Sequence, residues 1–257
     1  MLNTRQLIRI IAIVPLALLM TGPVFRSYGR YHPAITHSAA SLTLGPAGPA
    51  ELTGSAEETP HKADFLASDP SGWVDMMPKS FLHWKRMPVP PGKPLDPLSQ
   101  WKLDKKHGTI ICEGNHGHEW LRYNHPYANI LLHVEWRFSP KSGAMGYNSG
   151  VFVRNDLTGH VWHQAQVGTH AYIFGQTLID GKLSRMTQTP APAVDPLHPV
   201  GEWNTYEIRC DGPKIILWVN GDLTGEFATP EVPKGYWGLE AEGYWIEFRN
   251  IKLKELK

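Results

Sequence analysis

The sequence predicts an all-β protein, a two-sheet antiparallel sandwich. Several segments alternate apolar and polar residues with a period of two, which is typical of strands with one buried face. The 257 residues include 24 Gly and 22 Pro, a composition that favours many short strands joined by turns. Asn220-Gly221 separates two apolar runs and predicts a tight turn, because both residues tolerate positive φ.

The predicted strands follow one another along the C-terminal part of the chain. In the first of them, Leu132, Val134, Trp136 and Phe138 point to one face, and the residues between them point to the other. The same alternation is found in residues 148–154, 161–167, 206–210 and 214–219, with closing strands at 236–242 and 244–256. Such a series predicts a sandwich or jelly roll.

Three regions are expected along the chain. Residues 1–29 contain Arg5 and Arg9 before an apolar run from Ile10 to Met20, which predicts a signal peptide or, alternatively, an uncleaved membrane anchor. Residues 30–71 lack periodicity and are poor in aromatics, so we expect a disordered linker. Residues 72–257 form the one folded domain. We therefore expect an exported protein, periplasmic or extracellular, that meets a membrane only through its N-terminal segment.

Charge and motifs exclude several classes of partner and cofactor. The 25 basic and 24 acidic residues give a formal net charge of +1, so we expect no nucleic-acid partner. No Gly-rich phosphate loop is found, and we expect no cofactor. The two cysteines, Cys112 and Cys210, lie in apolar runs, which favours buried thiols over a disulfide.

Polar residues that suit a sugar ligand lie opposite the aliphatic faces of three predicted strands. Amides and guanidinium groups bond hydroxyls, and a Trp stacks on a sugar ring, so these residue types predict a ligand cleft. The alternative is a solvated face with internal Glu–Arg pairs. The residues concerned are Glu135, Arg137, Asn148, Arg154, Trp162, Gln164 and Gln166.

From Gly72 to its end, the chain resembles the 3-keto-disaccharide hydrolase domain family, which has a concanavalin A-like sandwich fold. The resemblance rests on a series of short motifs in the family's order: Gln100-Trp101 with Gly108, Glu135-Trp136-Arg137, residues 148–154 (NSGVFVR), residues 201–206 (GEWNTY), residues 218–221 (WVNG) and residues 248–251 (FRNI). Two motifs depart from the family. The usual Glu-x-Gln is Gln164-Ala165-Gln166, and the frequent LQxHG is residues 239–243, LEAEG.

The resemblance implies hydrolysis of glycosides already oxidised at C3 of the sugar, an oxidation that an oxidoreductase acting upstream would supply. The ketone acidifies the C2 hydrogen, a base removes it, the C1 substituent leaves, and water then adds. We expect Glu240 or Glu135 as the catalytic base and Arg137 or Arg154 at the oxyanion. The other substrate-binding residues expected on the same face are Asn148, Trp162, Gln164, Gln166 and Glu242. The loss of the carboxylate at Gln164 leaves a second hypothesis open, a non-catalytic carbohydrate-binding module.

Histidines offer a metal site as a further alternative. The chain has 13 of them, including His116 and His118 beside Glu119, and a looser group at His160, His163 and His170. Neither group has the helical His-x-x-x-His frame of many zinc enzymes, and His163 falls on the apolar side of its strand. We therefore expect no metal ligands among the site residues.

Overall fold

The computed structural model describes residues 59–188, 196–229 and 231–257, and these form two antiparallel sheets. A short helix α1 (Phe65–Ser68) and a 3-10 helix (Phe81–His83) are the helical elements of this part of the chain. Its strands are β1 (Val74–Asp75), β2 (Trp84–Pro88), β3 (Trp101–Asp104), β4 (Thr109–Cys112), β5 (Glu119–Tyr123), β6 (Ile130–Phe138), β7 (Asn148–Asn155), β8 (Trp162–Gly168), β9 (Ile173–Ile179), β10 (Lys182–Thr187), β11 (Asn204–Asp211), β12 (Lys214–Val219), β13 (Asp222–Ala228), β14 (Tyr236–Ala241) and β15 (Ile246–Glu255).

Neighbouring strands within each sheet are antiparallel. The first sheet has the order β13-β12-β11-β6-β15-β4-β3, with β1 paired to β15. The second has the order β10-β9-β8-β7-β14-β5-β2. The predicted all-β class and two-sheet antiparallel sandwich are confirmed.

The core lies between the sheets and contains the side chains that the alternation assigned to it. Leu132, Val134, Trp136 and Phe138 of β6 are all at most 2% exposed. The inward residues of β7, β8, β11 and β12 join the same apolar cluster. Cys112 and Cys210 are free, buried thiols, and burial raises the pKa of each to about 12. Strict alternation in the sequence therefore reports which side of each strand faces the core.

Residues 59–71 belong to the folded part, contrary to the expected boundary at residue 72. Phe65 packs edge-on against Trp218 at 4.8 Å between ring centroids. The Glu207 carboxylate accepts the backbone N–H groups of Phe65 at 2.9 Å and Leu66 at 3.1 Å. Glu207 is buried and lies far along the chain from residues 59–71, so the local composition of that segment could not predict this contact. The expected signal segment and linker residues 30–58 lie outside the described residues.

Asn220 and Gly221 form the predicted tight turn between β12 and β13, with φ of 50° and 87°. The Asn220 side chain also bonds Asn204 at 2.9 Å, which ties the turn to the neighbouring strand β11. In the described part of the chain, helices that could cross a membrane are not found.

Candidate functional site

A cleft of about 310 Å³ lies on the outer face of the second sheet. Its lining comes from β7, β8, β9, β10 and β14, from the residues at the start of β5, and from the segment Pro88–Pro91 at the end of β2. On β7 and β8, the cleft residues are the ones that alternate with the buried aliphatic side chains, apart from Asn155 at the end of β7. The cleft therefore occupies the solvent side of the strands whose other side builds the core.

Glu240, His118 and Gln164 form a connected group at one end of the cleft. Glu240 is only 2% exposed, and its two carboxylate oxygens have different partners. His118 Nε2 lies 2.8 Å from Oε1, and Gln164 Nε2 donates to Oε2 at 2.6 Å. His118 is half-buried and lines the cleft, so the buried carboxylate orients an imidazole that a ligand can reach.

Burial and hydrogen bonding shift the pKa values of both ionisable partners. Burial raises the pKa of Glu240, and the hydrogen bonds from His118 and Gln164 offset this only in part. Burial works against protonation of His118, but the hydrogen bond and negative charge of Glu240 outweigh it and raise the pKa of the imidazole. The imidazole is thus a stronger base than a free histidine, and the two groups titrate as a pair.

Gly150 on β7 creates the space through which Gln164 reaches Glu240. Gly150 lies opposite Gln166 across the β7–β8 pair, and the Gln164 side chain passes over the glycine. A Cβ at residue 150 would lie 2.5 Å from Gln164 Nε2 and 2.6 Å from its Cγ. The glycine in the NSGVFVR motif is therefore required by a close approach, not by a turn.

Further polar groups line the cleft beside this pair. Gln166 Nε2 donates to Asn148 Oδ1 at 2.5 Å. Glu242 is half-exposed, and its carboxylate lies 3.9 Å from His118 Nε2. Hydrogen bonds from the Asn148 Nδ2 group to other described residues are not found, so this donor is available to a ligand.

Aromatic side chains form one wall of the cleft. Trp162 and Phe174 meet edge-to-face with ring centroids 5.2 Å apart, and Phe152 lies 6.4 Å from Trp162. Trp120 packs on Phe152 at 5.4 Å. Flat aromatic faces beside hydroxyl-binding amides suit the apolar C–H face and the polar rim of a sugar ring.

Among the described residues, the group that could hold a metal ion is also found here: His118, Glu240 and Glu242. Their ligand atoms all lie within 4.8 Å of one another. One imidazole and two carboxylates suit Zn²⁺, Mn²⁺ or Fe²⁺. The other histidines considered as ligands are separate from this group: His163 is buried in the core, and burial lowers its pKa to about 4.

Glu135 and Arg137 do not lie in the cleft, contrary to the sequence-based expectation. Both are on β6, in the first sheet, and their side chains point away from the core on the opposite side of the sandwich. Glu135 accepts hydrogen bonds from Arg249 at 2.6 Å and Asn250 at 2.7 Å. Arg137 donates to Glu247 at 2.8 Å. This surface has the internal Glu–Arg pairs that the alternative hypothesis described.

The expectation that Arg154 lies in the cleft is also wrong, for a different reason. It has a φ of 51°, and the pairing of β7 with β14 shifts register beside it. Because the backbone turns here, the alternation ends before Arg154. Its side chain is 2% exposed and donates to the Gly212 carbonyl at 2.7 Å and to Thr229 Oγ1 at 2.9 Å. Arg154 therefore stabilises loops at one end of the sandwich.

The structure brings the remaining predicted site residues together in the cleft: Asn148, Trp162, Gln164, Gln166, Glu240 and Glu242. It adds residues that the sequence reasoning did not place there: His118, Trp120, Phe152, Phe174 and Arg185. The sequence offers His118 only as a metal ligand, because this residue precedes β5 and follows no alternation. The outward position of Phe152 was visible in the alternation of β7, but its role in the wall required the neighbouring strands.

The Gln100-Trp101 motif reaches the site only indirectly. Trp101 Nε1 and Gln100 Nε2 donate to the Glu119 carboxylate at 2.9 and 3.0 Å. Glu119 is 1% exposed and also pairs with Arg86 on β2. This network joins the edges of the two sheets beside His118, so we assign the motif a structural role.

Comparisons with known proteins agree with this architecture. Among solved structures, a proposed glycosyl hydrolase from Parabacteroides distasonis superposes with a TM-score of 0.52 at 17% identity, covering 74% of this chain and 97% of that one. The carbohydrate binding module CBM66 from Bacillus subtilis superposes with a TM-score of 0.50 at 12% identity, covering 67% and 96%. A Bacillus subtilis protein of unknown function with a galectin-like fold gives 0.51 at 11% identity, covering 71% and 94%. At these identities, the likeness concerns the fold.

Curated proteins give no match to the chain. The family model described as the 3-keto-alpha-glucoside-1,2-lyase-like domain matches residues 72–254, most of the chain and nearly all of the sandwich. This is the family that the sequence motifs indicated. The chain belongs to the 3-keto-alpha-glucoside-1,2-lyase-like domain family.

Proposed function

We propose that the protein cleaves 3-keto-glycosides by removing the C2 proton and eliminating the C1 substituent, after which water adds to the product. The observation that carries this proposal is the buried Glu240 carboxylate, hydrogen-bonded at 2.8 Å to an imidazole that lines the cleft. Membership in the family supports the reaction class. The names of two structural neighbours, a proposed glycosyl hydrolase and a carbohydrate binding module, are consistent with a sugar ligand.

His118 is the proposed base. Glu240 accepts the hydrogen of His118 Nε2, which leaves Nδ1 with the lone pair that takes the C2 proton. The raised pKa of His118 strengthens it for this task. Glu240 itself is less suited, because both of its oxygens are already engaged by His118 and Gln164. Glu240 is thus a positioning residue, which differs from the base assignment made from the sequence.

The remaining steps use the half-exposed polar groups of the cleft. When the proton passes to His118, the electron pair of the C2–H bond moves onto the 3-keto oxygen and gives an enolate. Its return forms the C1=C2 double bond while the C1–O bond breaks. Glu242 is the proposed acid that donates a proton to the departing oxygen. The Nδ2 group of Asn148 donates to the 3-keto oxygen, where negative charge develops. Trp162 and Phe174 hold the ring.

The exchange of two residues favours catalysis over simple binding. The usual family pattern has a carboxylate at the position of Gln164 and an amide at the position of Glu240. Here the amide and the carboxylate have changed places, and they remain hydrogen-bonded at 2.6 Å. The loss of Glu from β8 is therefore compensated on β14, and the site keeps its carboxylate–amide pair.

The proposal is tested by C2 proton exchange and by product release. In D₂O, the wild-type chain should exchange the C2 hydrogen of a 3-keto-glucoside and release the aglycone. His118→Gln should slow both by about 10²–10⁴-fold, the usual contribution of a general base. Glu242→Gln should retain exchange and lose release of an alkyl aglycone. Glu135→Gln, on the opposite sheet, is the control and should keep the wild-type rates of C2 exchange and aglycone release while the protein is folded.

Unchanged C2 exchange in His118→Gln would overturn the base assignment. Tight sugar binding by the wild type without exchange or release would instead support a carbohydrate-binding module. A third outcome concerns the metal alternative: dialysis against EDTA should leave the rates unchanged. A loss of activity that Mn²⁺ or Zn²⁺ restores would show that His118, Glu240 and Glu242 act as metal ligands.

We also propose that the protein acts outside the cytoplasm, because Arg5 and Arg9 precede a short apolar run. Cell fractionation with N-terminal sequencing of the mature chain would test this. Recovery of the uncleaved chain from the cytoplasm would contradict it.

A further inference from the structure

Among the described lysines and arginines, Arg185 is the one whose side chain lines the cleft. It lies on β10, the edge strand of the second sheet, and its guanidinium sits over the Trp162 ring at 5.7 Å from the centroid. Among residues 59–188, 196–229 and 231–257, no carboxylate forms an ion pair with it. The cleft therefore presents a guanidinium whose charge is not neutralised by these residues.

The position of Arg185 relative to the acid–base group follows from the strand pairing. Glu240 contacts Gln164, and Trp162 stands two residues from Gln164 on the same face of β8, about 6.6 Å away. Arg185 lies beyond Trp162, in line with it through Gln176 of β9. These contacts form a row of side chains that is longer than one sugar ring: Glu240, Gln164, Trp162 and Arg185. A group that meets Arg185 thus belongs to the part of the ligand next to the reacting ring.

The charges of the cleft are separated between its ends. His118, Glu240 and Glu242 lie at one end, and Arg185 lies at the other, with the aromatic wall of Trp162 and Phe174 between them. Carboxylates at the first end repel an anion, whereas the guanidinium at the second attracts one. A planar guanidinium binds the two oxygens of a carboxylate in a bidentate fashion.

We propose that the cleft selects glycosides whose second unit, adjacent to the reacting ring, carries an anionic group, and that Arg185 binds this group. The expected ligand is a disaccharide or glycoside with a uronate carboxylate on that unit. A sulfate ester carries the same single negative charge and also presents oxygen acceptors to a guanidinium, in a tetrahedral arrangement. This inference rests on the proposed function for its placement of the reacting ring, and it adds the substrate class.

The experiment compares two 3-keto-disaccharides that differ only in the second ring, glucose in one and glucuronate in the other. For the wild-type chain, kcat/KM should be about tenfold higher for the glucuronate substrate at low salt, and the preference should shrink at 0.5 M NaCl because exposed charges are screened. Arg185→Gln should lose the preference, so that the two substrates give similar kcat/KM. Lys182→Gln is the matched control, because it removes a cation that lies on the same strand and does not line the cleft. This variant should keep the preference for the glucuronate substrate.

Equal kcat/KM for the two substrates in the wild type, or an undiminished preference in Arg185→Gln, would overturn the inference and leave the proposed function intact. If neither keto-disaccharide is cleaved, the proposed function fails instead. Isothermal titration with the unoxidised disaccharides then still decides the inference. The wild type should bind the glucuronate form more tightly than the glucose form, and Arg185→Gln should lose this difference. A ring bearing a 6-sulfate, used as a third ligand, distinguishes carboxylate from sulfate recognition.

Discussion

Replacing Gly150 with alanine should destabilise the protein through a single neighbour, Gln164. The new Cβ would lie 2.5–2.7 Å from three atoms of that side chain, well inside van der Waals contact. The φ of Gly150 is not in the left-handed region, so the alanine backbone is allowed, and the cost comes from crowding. Gln164 must move, and its 2.6 Å bond to the buried Glu240 carboxylate is lost. A charge-assisted hydrogen bond contributes about 1.5–3 kcal/mol, so we expect a loss of about 2 kcal/mol.

The assay is urea denaturation followed by tryptophan fluorescence, applied to a double-mutant cycle. Gly150→Ala should cost about 2 kcal/mol in the wild-type background and less than about 0.5 kcal/mol when Gln164 is already alanine, because the clash is then absent. Gly175→Ala is a matched control: its Cβ would crowd the backbone of Trp162 and His163, and Gln164→Ala cannot relieve that. Additive losses for Gly150 and Gln164 would refute the reasoning.

The same cycle has a catalytic readout. The Gln164 hydrogen bond is one of the contributions that lower the pKa of Glu240 against the effect of burial. Without it, the carboxylate should bind its proton more tightly, and the acid limb of the pH–rate profile should move to higher pH. Gly175→Ala should leave the acid limb in place. An unmoved acid limb in Gly150→Ala would show that Gln164 does not tune Glu240.

Three other outcomes are expected. Gln164→Glu should destabilise the protein at pH 8, since two carboxylates would meet at hydrogen-bond distance, and adding Glu240→Gln should restore stability; a double variant as unstable as the single one would contradict the pairing. Glu240→Gln alone should stabilise the protein at pH 8, because burial raises the pKa of Glu240. The ionised carboxylate therefore lowers the stability of the folded state at any pH above 4.5, the pKa of this group in the unfolded chain. The gain, measured by urea denaturation, should vanish as the pH falls below 4.5. Glu135→Gln should cost about 1–3 kcal/mol at pH 7, since His133, which lies 3.8 Å away, and the hydrogen bonds from Asn250 and Arg249 lower the pKa of Glu135 to about 2. This contribution is present above pH 4.5 and should be lost as the pH falls toward 2.

The alternation of residues predicted the inside of the sandwich well, for a physical reason. Successive side chains of a strand point to opposite faces, so a period of two separates core from surface wherever the strand is regular. It placed Trp136 of β6 and Val151 of β7 correctly in one core. The error at Arg154 occurred where positive φ breaks the period. Local backbone geometry of this kind is not written in the polarity pattern.

The error at Glu135 and Arg137 has a deeper cause. A sandwich has two outer faces, and alternation assigns a residue to the outside without saying which outside. β6 and β7 are consecutive in sequence and belong to different sheets, so their polar residues lie on opposite sides of the molecule. Sheet membership depends on the pairing of β6 with β11 and β15, which are distant in the chain. Only the long-range pairing separates the cleft from the Glu–Arg surface.

Sheet membership also changes the meaning of the two departures from the family motifs. In the sequence, Gln164 and Glu240 are far apart, and each looks like an independent loss or gain of a carboxylate. In the fold, β7 lies between β8 and β14, and Gly150 on β7 lets one side chain cross to the other. Gln164→Glu alone would leave two carboxylates facing each other in a buried place, and Glu240→Gln alone would remove the carboxylate beside His118. The pair must therefore change together, and a chain that keeps the bond while reversing its members retains a buried carboxylate beside His118, the arrangement that a proton-transfer site needs.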